Sequence, residues 1–312
     1  MDKKKNVLIT GGCGFIGSNL IRYLKTQSGV IENISVVDNL SKGRISYLPH
    51  YVNFFNADIL DFNSALKMTK DIDVVIHLAA ESGVPISIEN PMKSVSVNII
   101  GTQNYLEASR INKVKKFIFA SSGGTILGNQ DPPCHEESKI KPISPYGAGK
   151  AAGEHLCNSY HESFGLNTTI FRFANVYGPY SLHKKGNFVP EFIKSFVKEK
   201  TFKIFGDTSR DFVYIDDLIR GLFRGIICPE STGQTFQLAT DTELSITKAT
   251  DIMNKIMKRR FGKTVKVEHH KIRSGDVLRN YAMIDKIRVY LNWMPKYNFE
   301  RGFDRMIDSL NL

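Results

Sequence analysis

Two clusters of residues have the types and spacing to do chemistry. The first is Thr10-Gly11-Gly12-Cys13-Gly14-Phe15-Ile16-Gly17, where glycines recur as GxxGxxG between an apolar run and a helical pattern. Glycine permits the tight turn and lets the backbone approach a pyrophosphate. The helix start that follows offers free N–H groups and partial positive charge to the same phosphates. Taken alone, the triplet is also what a plain strand-to-helix turn requires. The second cluster is Tyr146-Gly-Ala-Gly-Lys150, whose ends stand i and i+4 on one helix face. A free phenol ionises near ~10 and is a poor base at neutral pH. An adjacent ammonium, with the positive ring of an oxidised nicotinamide, would favour the phenolate and make Tyr146 a general base for a hydroxyl. On spacing alone, an exposed Tyr and Lys fit as well. A dinucleotide loop about 130 residues upstream makes the catalytic reading the stronger one.

Acids fall where such a loop needs them. Asp38 ends the second strand-like run, 21 residues after Gly17, where a carboxylate binds the adenosine ribose hydroxyls. A carboxylate there repels a 2′-phosphate, so NAD is favoured over NADP; Lys42 and Arg44 just beyond keep NADP open. Asp58 follows the third run and is placed either to meet the adenine or to cap a helix.

These residues sit in an alternating pattern. Apolar runs at Val7–Thr10, Ile34–Asp38, Val52–Asn56, Val74–Leu78, Lys116–Ser121 and Thr168–Phe173 read as strands. Helical stretches at Phe15–Thr26, Phe62–Met68, Val95–Ile111 and Pro145–Phe164 lie among them. Strands alternating with helices predict an α/β fold, a doubly wound parallel sheet of Rossmann type covered on both faces. After Asn175 the rhythm breaks into a loop, a helix at Pro190–Lys200, a strand at Lys203–Phe205 and a helix at Asp217–Cys228. Further helices at Ser245–Arg260 and Phe299–Leu310 flank a strand-like KTVKVEH. The division expected is a dinucleotide-binding domain over 1–175 and a smaller α/β domain over 176–312, with about 203–240 returning to the first sheet.

The chain has 312 residues, 42% hydrophobic and 23% charged, which excludes collagen-like, disordered and disulfide-scaffold classes. Cys13, Cys134, Cys157 and Cys228 lie far apart with no metal-ligand spacing, as reduced thiols would. No apolar run approaches the ~18 residues of a membrane span. The start, MDKKKNVLITGG, leaves no room for a leader, so a cytoplasmic protein is expected. Net charge is +11, of which +7 falls in residues 251–312. A solvated basic face explains it first, an anionic small ligand second and nucleic acid a distant third, because no nucleic-acid module appears.

In order along the chain stand TGGCGFIG, VVDNLS, ADILD, HLAAESG, VNIIGTQN, FASSGG, SPYGAGK, FRFANVYGP, GDTSRDFVYIDD, and GDVLRN followed by LNWMP. With these motifs the chain resembles the extended short-chain dehydrogenase/reductases, in particular nucleotide-sugar epimerases and dehydratases, over nearly its whole length. The resemblance implies NAD as cofactor and a nucleoside-diphosphate sugar as substrate. It also implies a homodimer formed through Val95–Ile111 and the helix after Tyr146, with no membrane or nucleic-acid partner. It places cofactor contacts at Gly11, Gly14, Phe15, Ile16, Gly17, Asp38 and Asn39, then at Asp58, Ile59, Leu78, Ala79, Ala80 and Asn98. Tyr146 and Lys150 become the catalytic pair, with Lys150 also on the nicotinamide ribose. Asn175, Asn187, Arg210 and Arg279 fall to the substrate, the arginines suiting a diphosphate; each could also be a surface arginine.

One stretch departs from the family. The usual catalytic hydroxyl, five residues before the glycine of a VYG motif, falls by gapless counting on Gly123, and Leu127 replaces the tyrosine. Ser122 and Thr125 are rival suppliers, Ser122 favoured because it directly follows the strand. The same stretch lacks the Thr-Asp-Glu run of the 4,6-dehydratases, which implies a 4-epimerase; a dehydratase, decarboxylase or 4-keto reductase is the alternative. His183, Lys184 and Lys185 follow in a loop that is either simply solvated or suited to an acidic sugar.

Overall fold

The structure is a computed structural model that describes residues 3–183, 186–273 and 275–310. Six strands alternate with helices through the first 173 residues. They are β1 (Lys5–Thr10), β2 (Ile31–Asp38), β3 (Asn53–Asn56), β4 (Val74–His77), β5 (Lys116–Ser122) and β6 (Thr168–Phe173). Later come β7 (Asn175–Tyr177), β8 (Phe202–Phe205), β9 (Ser209–Arg210), β10 (Phe212–Tyr214), β11 (Gln234–Leu238), β12 (Leu244–Ser245) and β13 (Val267–His270). Seven strands form one sheet in the order β11-β6-β5-β4-β1-β2-β3, with every neighbouring pair parallel. The direction of winding reverses between β1 and β4, and a crevice for ligands opens at such a switch point.

The sheet is buried on both sides. Val7 and Ile9 point into one apolar cluster with Leu20, Ile21 and Leu222, while Leu8 points into the other with Val75, Phe117 and Leu106. This two-residue alternation explains why VLI and FIFA are apolar at every position. The helices are α1 (Phe15–Lys25), α2 (Phe62–Met68), α3 (Val84–Glu89), α4 (Pro91–Val95), α5 (Gly101–Ile111), α6 (Pro145–Phe164), α7 (Phe188–Val197), α8 (Ile215–Ile227), α9 (Ile246–Phe261), α10 (Asp285–Leu291) and α11 (Phe299–Asp308). α1 packs on α8, and α5 packs on α2 and α6.

Val95–Ile111 is not one continuous α-helix. A π-helical turn, Ser96–Ile100, separates α4 from α5. β8 does not return to the large sheet; it pairs with β13, while β11 does return and lies against β6. β7 pairs with β10, and β9 with β12. Trp293 is buried and donates Nε1–H to Asp217 O at 3.0 Å, fastening the C-terminal segment to α8. All four cysteines are free and buried. Among the described residues no helix is long and apolar enough to cross a membrane.

Candidate active site

A cleft of about 940 Å³ lies over the carboxyl ends of β1, β2 and β4. Its floor is the glycine loop. Gly11 has φ +72°, and a Cβ there would lie 2.8 Å from Ala79 N, so only glycine fits between β1 and β4. A Cβ on Gly17 would lie 2.5 Å from Gly12 Cα, so α1 can start directly against the loop. The Gly14-capped start of α1 has no side-chain cap. Its N–H groups suit an anion, as the pyrophosphate of a dinucleotide would be.

Asp38 and Asp58 form one side of the cleft, with Asn39 and Ile59. Asp38 accepts from Cys13 N at 3.0 Å and Leu40 N at 2.8 Å. Burial pushes its carboxyl above the ordinary value, and those two N–H groups pull the other way. Asp58 accepts from Asn39 Nδ2 at 2.8 Å and Leu60 N at 2.9 Å. The helix cap that the sequence left open for Asp58 is Asp61, which accepts from Asn63 N at the start of α2.

Leu78, Ala79 and Ala80 form the opposite wall, followed by Glu81. A buried polar chain sets this wall. Ala79 N donates to Thr10 Oγ1 at 3.2 Å, and Thr10 Oγ1 lies 2.9 Å from His77 Nδ1. His77 Nε2 is 3.2 Å from Thr102 Oγ1, which itself donates to Asn98 O. Thr102 therefore accepts from Nε2–H, and Nδ1 accepts from Thr10. Burial holds His77 neutral, with its pKa down to about 3. Asn98 is buried and does not line the cleft; it donates to Glu81 O and accepts from Glu81 N. Its part is to hold the wall.

Tyr146 and Lys150 reach the cleft from the first turns of α6. Pro145 opens that helix and Ser144 caps it, accepting from Gly147 N at 3.2 Å. A Cβ on Gly153 would lie 2.4 Å from Phe119 Cζ, so the missing side chain brings α6 down onto β5. Lys150 Nζ donates to Ala120 O at 2.8 Å and lies 4.9 Å from the Phe119 ring centroid. Burial pushes the Tyr146 phenol up to about 12, so this environment alone keeps it protonated. Glu154 continues the same helix face one turn beyond Lys150. It forms a buried pair with Arg172 and accepts from Ser121 Oγ at 2.5 Å. Glu81 and Glu154 were not singled out from the sequence, although the four-residue step from Lys150 marks Glu154 as facing the same way.

Ser122, Thr125, Asn175, Arg210 and Arg279 lie outside the cleft lining. Ser122 ends β5, half-buried opposite Phe173 on β6. Thr125 lies beyond it, with its carbonyl against the first turn of α6 at Gly147. Asn175 donates Nδ2–H to Asp211 O at 3.3 Å. Arg210 Nη1 donates to Ser209 O at 2.7 Å and to Leu278 O at 3.3 Å. Arg279 is exposed and forms a bidentate pair with Glu243, both contacts 2.8 Å, which holds that carboxyl down to about 2. Its neighbour Asn280 is the one that reaches back to Gly123 O. Asn187, just before α7, and His183 do line the cleft. Lys184 and Lys185 lie outside the described residues. Among the described residues no cluster of His, Cys, Asp or Glu has a metal-binding arrangement.

A glycine-floored cleft at the switch point of a parallel sheet, with a carboxylate ending β2, defines a dinucleotide-binding enzyme of Rossmann architecture. Residues 7–239 match the NAD dependent epimerase/dehydratase family, and the chain belongs to it. It is 36% identical to a UDP-glucuronate 4-epimerase of Thermodesulfobacterium geofontis, over 96% of this chain and 94% of that one. The fold matches the crystal structure of a Thermus thermophilus UDP-glucose 4-epimerase in complex with NAD, with TM-score 0.90, 30% identity and coverage of 97% and 98% of the two chains. It also matches a Streptomyces venezuelae dTDP-glucose 4,6-dehydratase with NAD bound, with TM-score 0.90, 28% identity and coverage of 97% and 96%. The protein is an NAD-dependent enzyme of this family, and the glycine floor and Asp38 fit that cofactor.

Proposed function

We propose that the protein is a 4-epimerase of a UDP-hexose or related nucleoside-diphosphate sugar, working through a transient 4-keto sugar. The observation that carries the reading is the placement of Tyr146 and Lys150 one helical turn apart on the wall of the cofactor cleft. NAD, when bound, supplies hydride acceptance at the sugar carbon and its return. Tyr146 takes the C4 hydroxyl proton and gives it back, and Lys150 favours the phenolate by its charge. A positive ring beside the phenol opposes the effect of burial that holds it protonated in the protein alone. Ser122, or Thr125 as its rival, donates to the sugar oxygen. Gly11, Gly14, Phe15, Ile16 and Gly17 hold the pyrophosphate; Asp38 and Asn39 hold the ribose, and Asp58 and Ile59 the adenine. Asn175, Asn187, Arg210 and Arg279 serve the substrate. For Arg279 this requires that it leave Glu243. The segment from Ser122 to Leu127 contains no carboxylate, which favours epimerisation over loss of water.

A homodimer belongs to the same reading: Ile100, Ile111 and Phe164 are exposed apolar side chains on the segments expected to form its bundle. Incubating the enzyme with a panel of UDP-, dTDP-, GDP- and CDP-sugars in D₂O tests the function. The epimerase returns a product of unchanged mass with protium at C4 and accumulates no reduced cofactor. Loss of water, release of CO₂ or stoichiometric reduced cofactor would replace it with a dehydratase, a decarboxylase or a dehydrogenase.

A further inference from the structure

Lys42 and Arg44 follow Asp38 in the turn after β2, where a basic side chain accommodates the 2′-phosphate of NADP. Neither is directed to that task. Lys42 crosses the cleft and forms an ion pair with Glu81 on the opposite wall. The Arg44 guanidinium lies 5.9 Å from the Tyr47 ring centroid, and its backbone N donates to Cys13 O.

Glu81 is built into place. It is 4% exposed, its second oxygen is 3.3 Å from Lys93 Nζ, and Asn98 bonds both its backbone N and O. Asp38, meanwhile, takes its hydrogen bonds from backbone N–H groups of Cys13 and Leu40. A phosphate brought beside Asp38 needs a cation, and Lys42 is the half-exposed ammonium of that turn, already paired with Glu81. If the Lys42 ammonium moves away, the nearly buried Glu81 carboxylate keeps only the exposed Lys93 ammonium at 3.3 Å, so the move costs part of its compensation.

We propose that Glu81 is a specificity-determining residue for the dinucleotide: by holding Lys42 across the cleft it denies a 2′-phosphate its counter-charge. The inference rests on the reading of Asp38 as the ribose ligand.

The test measures NAD and NADP affinities of the cofactor-stripped protein by fluorescence titration. Glu81→Gln keeps the side-chain shape and removes the charge. The ratio of the NADP to the NAD dissociation constant is expected to fall about tenfold, the worth of one charge-assisted hydrogen bond. Adding Lys42→Met to that variant should restore the ratio. An unchanged ratio in Glu81→Gln, or a fall that survives Lys42→Met, overturns the proposal. Lys42→Met in the otherwise unaltered protein should leave the ratio where it was, because Lys42 is already engaged; a marked loss of NADP binding there also overturns it. Asp38→Asn is titrated in parallel. If that variant leaves the ratio unchanged, the ribose reading of Asp38 is what fails.

Discussion

Arg172 on β6 and Glu154 on α6 form an ion pair at 2.8 Å with both side chains at most 4% exposed. The arginine also donates Nη1–H to Glu136 O at 2.6 Å, and the glutamate also accepts from Ser121. The pair therefore ties α6, which carries Tyr146 and Lys150, to two central strands. Arg172→Met leaves the carboxylate buried and unpaired, and a loss of about 3–5 kcal/mol is expected. Urea unfolding measures it. The double variant Arg172→Met with Glu154→Met should recover most of that loss, since it leaves no lone charge.

Tyr146→Phe removes only the phenolic proton carrier. Turnover should vanish while NAD still binds, and single-turnover assays beside cofactor titration separate the two. The phenol of the unliganded protein is pushed up to about 12 by burial. Its difference spectrum against Tyr146→Phe should show no tyrosinate from this residue below about pH 10. Adding NAD should move that titration downward, because the added positive charge favours the phenolate.

Ser122→Ala and Thr125→Val compare the two candidate hydroxyls. Loss of a donor to the reacting oxygen costs roughly 10²–10³ in rate, and that loss is expected at Ser122. Thr125 Oγ1 is buried and makes no hydrogen bond among the described residues. Replacing it with a methyl should raise stability by about 1 kcal/mol, since an unpaired buried hydroxyl is removed. A larger rate loss at Thr125 would reverse the assignment.

Lys116 makes stability depend on pH in a way unrelated to catalysis. Its ammonium is buried against Gly225 O, Cys228 O and Ser231 Oγ, and burial lowers its pKa to about 8. The unfolded chain holds this proton up to the ordinary lysine value, so between these limits it binds more protons than the folded one. The contribution of Lys116 to stability should therefore rise with pH from about 8 toward 10.5, with a slope of at most about 1.4 kcal/mol per pH unit. Stability curves of Lys116→Met and the unaltered protein should diverge in that window and run parallel below it.

The strands of the large sheet were legible from β1 to β6 because each is bounded by turn residues, and β4, β5 and β6 are buried on both faces. The glycine loop, Asp38 and the Tyr146–Lys150 step were legible because their spacing is local. What escaped depends on contacts distant in sequence. The π-helical turn inside Val95–Ile111 places Asn98 on Glu81 and seats Gly101 against Ile59, where a Cβ would lie 2.4 Å from Ile59 Cδ1. Helical periodicity carries no sign of either. β11 is five residues long and pairs with a strand more than 60 residues earlier. Arg279 has the chemistry to hold a diphosphate, but in the irregular segment before α10 it pairs with Glu243, while its neighbour Asn280 turns inward to Gly123 O.

The return of β11 to the large sheet also bears on how the chain is made. Until residue 238 has left the ribosome, β6 is an open edge presenting unpaired backbone groups beside buried Ile170 and Phe171. The cofactor-binding half thus cannot close its sheet during synthesis without a strand from the second half. A nascent chain stalled near residue 200 should be held by chaperones, and a fragment ending at Asn175 should aggregate rather than fold.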